Sequence, residues 1–148
     1  MKASKKYIRD GRCPIPSREV TSRIMSAIRA KNTKPEILLR KALNKAGLTG
    51  YRLNWKKAPG RPDICYVAKK IALFVHGCYW HRCPYCKLKL PKSHSAFWKR
   101  KFLVNAERDR KKLLALKLGG WKTFVLWECQ IGTEMKNSIR RIKRLFKN

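Results

Sequence analysis

Residues 75–86 read VHGCYWHRCPYC, placing two histidines and three cysteines within twelve positions. Cys78, Cys83 and Cys86 have the C-x4-C-x2-C spacing of a tight metal knuckle, and thiolates at such spacing favour zinc. Three thiols leave a tetrahedral site one ligand short. Cys129 is the expected fourth, because it follows an apolar run at 124–127 that should be a strand ending nearby. Four thiolates would fill the site, so this metal would be structural and would tie the loop to the last strand. The alternative is that one of the histidines replaces a cysteine on the metal. Cys65 reads as a core residue and Cys13 as an incidental thiol.

His81 lies inside the knuckle without being needed as a ligand, which frees it to act as a general base on water. His76 could hold or polarise a phosphate oxygen. Upstream, Ala58-Pro59-Gly60-Arg61-Pro62 forces a turn that delivers Asp63 to the start of a strand. A carboxylate fixed by so restricted a turn suits a hard-metal ligand beside a phosphate, with a turn-forming Asp as the plain alternative. Tyr79, Trp80 and Trp98 could stack on bases or wedge between base pairs, or could be core. Phe97 reads as core.

These groups need a frame. Ile24, Met25 and Ile28 recur at helical spacing behind Thr21 or Ser22 as caps, which predicts a short basic helix. Thr33-Lys34-Pro35-Glu36 is a helix start in which Thr33 caps and Glu36 completes a capping box, and Gly47 ends the helix. Glu36 could also face a catalytic site. Strands are expected over 48–55, 64–67 and 71–75, the last two joined at Lys69-Lys70. That hairpin would bring Asp63 close to His76 and Gly77. A long helix over 95–118 should bury one face, with Asn105 and Asp109 four apart on a shared side. A strand over 121–127 and an amphipathic helix over 133–146 complete the chain. The order α, α, β, β, β, α, β, α predicts an α/β (α+β) fold, a small mixed sheet with helices on its faces.

The 148 residues predict one domain with a single core over 17–148, preceded by a flexible basic arm over 1–16. Lys and Arg number 38 against 8 acidic residues, a net charge of +30 spread along the whole chain. Such self-repulsion points to a polyanionic partner, nucleic acid first. A membrane partner is disfavoured, since no apolar stretch approaches the roughly 20 residues that span a bilayer. Without a signal-like segment, the expected location is cytoplasmic and reducing, where six cysteines read as metal ligands and spare thiols. Nothing looks like a dimerisation stripe, so a monomer is expected.

Together these motifs resemble the very short patch repair (Vsr) mismatch endonuclease family. The likeness runs from RIMSAIR at 23–29 through PGRPD at 59–63, FVHGCYWH at 74–81, FW at 97–98, NAERD at 105–109 and GW at 120–121 to WEC at 127–129. It implies a restriction-endonuclease-like core and a Mg2+-dependent nick in duplex DNA beside the T of a T:G mismatch, the lesion left by 5-methylcytosine deamination. By position it implies Asp63 as Mg2+ ligand with the backbone carbonyl of Val75, His81 as base, and His76 as helper on the phosphate side. Asn105, Asp109 and Glu36 would support the site, Tyr79, Trp80 and Trp98 would form a DNA wedge, and Cys78, Cys83, Cys86 and Cys129 would hold Zn2+. Two other readings stay open. One is a nuclease of the same fold with a different DNA target, and the other is a zinc-containing binding module without catalysis.

Overall fold

The structure, a computed structural model, describes residues 17–27, 31–91 and 95–147. The arm expected over 1–16, with Cys13, lies outside the described residues, as do Ile28 and Arg29. Helix α1 spans Arg18–Ala27 and α2 Lys34–Lys45, followed by strands β1 (Arg52–Leu53), β2 (Ile64–Tyr66) and β3 (Ile71–His76). Helix α3 (Ser95–Leu118) then leads to β4 (Lys122–Trp127), α4 (Glu128–Thr133) and α5 (Met135–Lys147). The fold is the expected α+β mixed sheet with flanking helices, consistent with a restriction-endonuclease-like core.

The sheet order is β1-β2-β3-β4. β2 is antiparallel to both β1 and β3, whereas β3 and β4 run parallel, which requires a crossover; α3 supplies it. Side chains on β3 alternate between two hydrophobic layers. Ile71 and Leu73 join Leu39 and Leu43 of α2, Ile131 of α4 and Ile142 of α5 on one face. Ala72 and Phe74 join Leu116 of α3 on the other, where Trp55, Trp121 and Val125 pack against them. The same period of two puts His76 on the α3 side. Leu73 is fully buried and sits between Ile64 and Phe124 in the sheet. Leu73→Ala should therefore cost about 2–5 kcal/mol in urea unfolding, and a loss below about 1 kcal/mol would contradict this packing.

Several boundaries differ from the expectation. The strand over 48–55 shrinks to Arg52–Leu53, because the chain turns at Gly50 with φ +77°. The closing helix expected over 133–146 is α5, and the short helix α4 before it was not expected; Glu134 at φ −125° parts the two. Ser17, and not Thr21 or Ser22, stands before α1, its Oγ accepting the Val20 N–H at 3.2 Å. Thr33 is the N-cap residue of α2 as expected, but its side chain makes no capping bond to the helix backbone. Its hydroxyl instead donates to Glu36 Oε1 at 2.8 Å, while Glu36 Oε2 accepts the Asn32 N–H at 3.0 Å. Helix α3 buries less of its face than expected: only Phe102 and Leu116 are buried among its described side chains, while Val104 and Leu114 are 48% and 55% exposed. Phe97, expected in the core, is 44% exposed.

Candidate active site

The parallel pairing of β3 and β4 ends with His76 opposite Trp127. Both strands therefore release their chains at the same edge of the sheet. Two residues beyond that register stand Cys78 and Cys129, and the Cys129 N–H reaches Cys78 Sγ at 3.4 Å. Cys83 and Cys86 turn back to join them, aided by a bond from the Cys83 N–H to the Cys78 carbonyl at 2.9 Å. All four sulfur atoms lie within 4.8 Å of one another, and Cys83 and Cys129 are 3.7 Å apart. A tetrahedral ion with metal–sulfur bonds of about 2.3 Å needs edges of about 3.8 Å. The group can therefore hold a metal ion. Neither histidine belongs to this cluster, and Cys65 is buried in the sheet away from it.

The loop closed by these cysteines aims His81 back over the sheet. Its Nδ1 pairs with Asp109 Oδ2 at 2.5 Å, and its ring stacks on His76 with centroids 4.0 Å apart and planes 11° from parallel. Trp127 meets the His76 ring edge-on at 5.4 Å. His76 is only 9% exposed. Burial, helped by the neighbouring His81, pushes its pKa down to about 4, so it is neutral at pH 7. Asn105, one turn before Asp109 on α3, donates to the Trp80 carbonyl at 3.2 Å and so braces the loop from behind.

Asp63 arrives from the opposite side. The turn before it is left-handed at both Gly60 (φ +73°) and Arg61 (φ +50°), a conformation that costs a non-glycine residue about 1–2 kcal/mol. Asp63 Oδ2 then accepts the Val75 N–H at 2.7 Å, fixing the carboxylate against the end of β3. Burial raises its pKa to about 6 despite that bond, and the negative charge of Glu36 adds to the rise. Ionised, this carboxylate sits where a cation is electrostatically welcome.

One cavity of about 420 Å³ is lined by Asp63, Glu36, Val75, His76, His81 and Asp109. Trp80 forms part of its wall, packed with Tyr79 and Trp98 in a cluster founded on buried Phe102. Lys101 stands over the Trp80 and Trp98 rings at 5.5 and 5.7 Å. Of the residues singled out by sequence, Asn105, Tyr79 and Trp98 border this cavity's framework without lining it. Arg61, Lys112 and Glu128 line it and were not anticipated. Glu128 lies between the two centres, its Oε2 accepting the Cys78 N–H at 3.2 Å. Its place directly before Cys129 was the available signal, since a carboxylate that opens α4 must reach the knuckle when its neighbour does.

Among the described residues no helix is long and apolar enough to cross a membrane. The profile of the DNA mismatch endonuclease Vsr family matches residues 15–87. The type II nicking enzyme V.XorIIP of Xanthomonas oryzae pv. oryzae is 40% identical over 109 residues, 73% of this chain and 79% of that protein. V.NmeAIP of Neisseria meningitidis, also a type II nicking enzyme, is 42% identical over 108 residues, covering 73% and 76% respectively. The DNA mismatch endonuclease Vsr of Escherichia coli is 34% identical over 110 residues, 74% of this chain and 70% of that protein. With identities at this level across most of both chains, and with the strand ends, knuckle and cavity just described, the chain belongs to the Vsr family of DNA mismatch endonucleases.

Proposed function

We propose that this DNA endonuclease nicks one strand of a duplex beside the T of a T:G mismatch, using Mg2+ at Asp63 and His81 as general base. The observation that carries the reading is the meeting of Asp63, His76, His81 and Asp109 in one cavity at the carboxyl ends of β3 and β4. The relatives, nicking enzymes and a mismatch endonuclease, support a strand nick and a mismatched target.

The donors fit a hard cation. Asp63 and the Val75 carbonyl would hold Mg2+ and Glu36 would stand nearby, an oxygen set of the kind this ion prefers. When bound, Mg2+ supplies neutralisation of charge on the phosphate and polarisation of water. With its Nδ1 engaged by Asp109, His81 keeps Nε2 for the proton of the attacking water. Asp109 fixes the tautomer and compensates the imidazolium that forms. His76, neutral and stacked on His81, would hydrogen-bond a phosphate oxygen without adding charge. The partly exposed Tyr79, Trp80 and Trp98 would enter the duplex beside the mispair, where unstacking is least costly. The four cysteines would carry Zn2+ as a structural ion, and residues 17–148 would act as one monomeric domain with 1–16 as a DNA-contacting arm.

A strand-resolved nicking assay with Mg2+ on duplexes differing only in T:G, U:G or T:A at one position tests this. A single nick next to the mismatched T and none in the matched duplex is the expected result. Equal nicking of all three would leave a nuclease with another target. Tight binding with no nick on any duplex would favour a zinc-containing binding module.

A further inference from the structure

Helix α3 brings a cation to the cavity as well as an acid. Lys112 follows Asp109 by three residues, so it lies about one turn on along the same side of the helix. Asp109 divides its two oxygens: Oδ2 meets His81 Nδ1, and Oδ1 lies 3.7 Å from Lys112 Nζ. That separation is too long for a strong hydrogen bond, so the ammonium keeps protons for another acceptor. The side chain is 34% exposed, partly sunk yet reachable from solution.

Its stem is seated by a specific backbone feature. A Cβ on Gly60 would fall 2.7 Å from both Cβ and Cγ of Lys112, closer than real contacts allow. The methylene chain thus runs against bare backbone of the turn that delivers Asp63. The φ of +73° already asks for glycine at position 60, and this contact asks for it a second time. From there Lys112 lines the same cavity as Asp63, His76, His81 and Asp109. Its neighbours behave differently, since Arg110 and Lys111 both pair with Glu107 on the outer side of the helix.

We propose that Lys112 is a catalytic residue whose ammonium contacts a non-bridging oxygen of the phosphodiester being cut, with Gly60 kept small to seat its stem. The inference rests on the cavity being the site of cleavage. A phosphate entering a space bordered by Asp63, Asp109 and Glu36 meets like charge. A cation standing beside these carboxylates offsets that repulsion and gains strength as charge grows on the phosphoryl oxygens in the transition state. The bland account is that Lys112 serves only to orient Asp109.

Single-turnover nicking of a T:G duplex at saturating protein separates these accounts. The variants are Lys112→Met, Lys112→Arg, Asp109→Asn, the Lys112→Met/Asp109→Asn pair and Gly60→Ala, with Asp63→Asn as the control for the site itself. Lys112→Met should slow the nick roughly 100-fold while duplex affinity, read by fluorescence anisotropy, changes by less than about threefold. Lys112→Arg should recover part of the rate, Gly60→Ala should lose part of it, and the double variant should lose the product of the two single effects. An unchanged rate in Lys112→Met, a loss confined to affinity, or no further loss on the Asp109→Asn background would each overturn the proposal. Normal cutting by Asp63→Asn would overturn the reading of the cavity and the role of Lys112 with it.

Discussion

Asp63→Asn should lose at least about 10³-fold in nicking rate and yet yield a more stable metal-free protein. The first half follows from the role proposed for Asp63, since removing a catalytic metal ligand forfeits several kcal/mol of transition-state stabilisation. The second half follows from burial. In the folded chain the Asp63 carboxyl has its pKa raised from 3.8 to about 6, so folding favours the protonated form. Above about pH 6 the folded protein bears the full cost of the ionised group, and the difference between 3.8 and 6 corresponds to about 3 kcal/mol. This cost fades as pH falls through 6 and is absent below about 4. Asparagine carries no charge and still offers an oxygen to the Val75 N–H. Thermal unfolding in EDTA at pH 8 should therefore show a higher Tm for Asp63→Asn than for wild type, and at pH 4 the gap should close. Added Mg2+ should raise the wild-type Tm and leave the variant where it was. A variant that cuts normally, or one that is less stable than wild type in EDTA at pH 8, would remove Asp63 from this role.

What the chain disclosed in advance depended on how local the determinant was. The turn at Gly60 and Arg61, the apolar run of β3 and the spacing of Cys78, Cys83 and Cys86 are each decided within a few residues, and each lies where periodicity and spacing place it. The nearness of Asp63 to the end of β3 needed only the hairpin. The pairing of His81 with Asp109 is another matter. These residues are 28 apart and meet because α3 crosses back over the sheet, so spacing offered Asp109 as a neighbour of Asn105 on one helical side, and the family resemblance placed it around the site without naming its partner. Lys112 was hidden in a run of basic residues, and only its folded surroundings, the Gly60 contact, Asp109 and the cavity, separate it from Lys111. Burial was misread along α3 for a related reason. Its apolar residues are scattered around the helix, so Val104 and Leu114 face outward although their types suggest a core. Helix α4 was missed because six residues with an internal glycine carry almost no periodic signal.

The protein should carry one equivalent of zinc, and Cys129→Ser should lose both that zinc and the nicking activity. Cys78, Cys83 and Cys86 belong to one loop, whereas Cys129 is the ligand that fastens this loop to the end of β4. His81 stands between Cys78 and Cys83 in the chain, so its approach to Asp109 depends on the fastening. Without a metal the loop would keep four crowded thiols, a few backbone bonds and the bond from Cys78 N–H to Glu128. It would also keep the bonds from Asn105 to the Trp80 carbonyl and between His81 and Asp109, and the packing of Tyr79 and Trp80 on Trp98 and Phe102. Structural zinc sites supply on the order of 10 kcal/mol of binding energy to the fold they close. Losing that should free the loop while β2, β3 and the helices behind them persist, because Leu39, Leu43, Ile71 and Leu73 form their layer without it. The expected signature is a near-normal far-UV spectrum, altered fluorescence from Trp80 and Trp98, and a nicking rate down by at least about 10²-fold. Cys65→Ala, by contrast, should retain one zinc and its activity at some cost in stability, since Cys65 is buried in β2 and outside the cluster. If Cys129→Ser binds zinc as tightly as wild type and cuts at the same rate, the fastening is not what holds His81 in place.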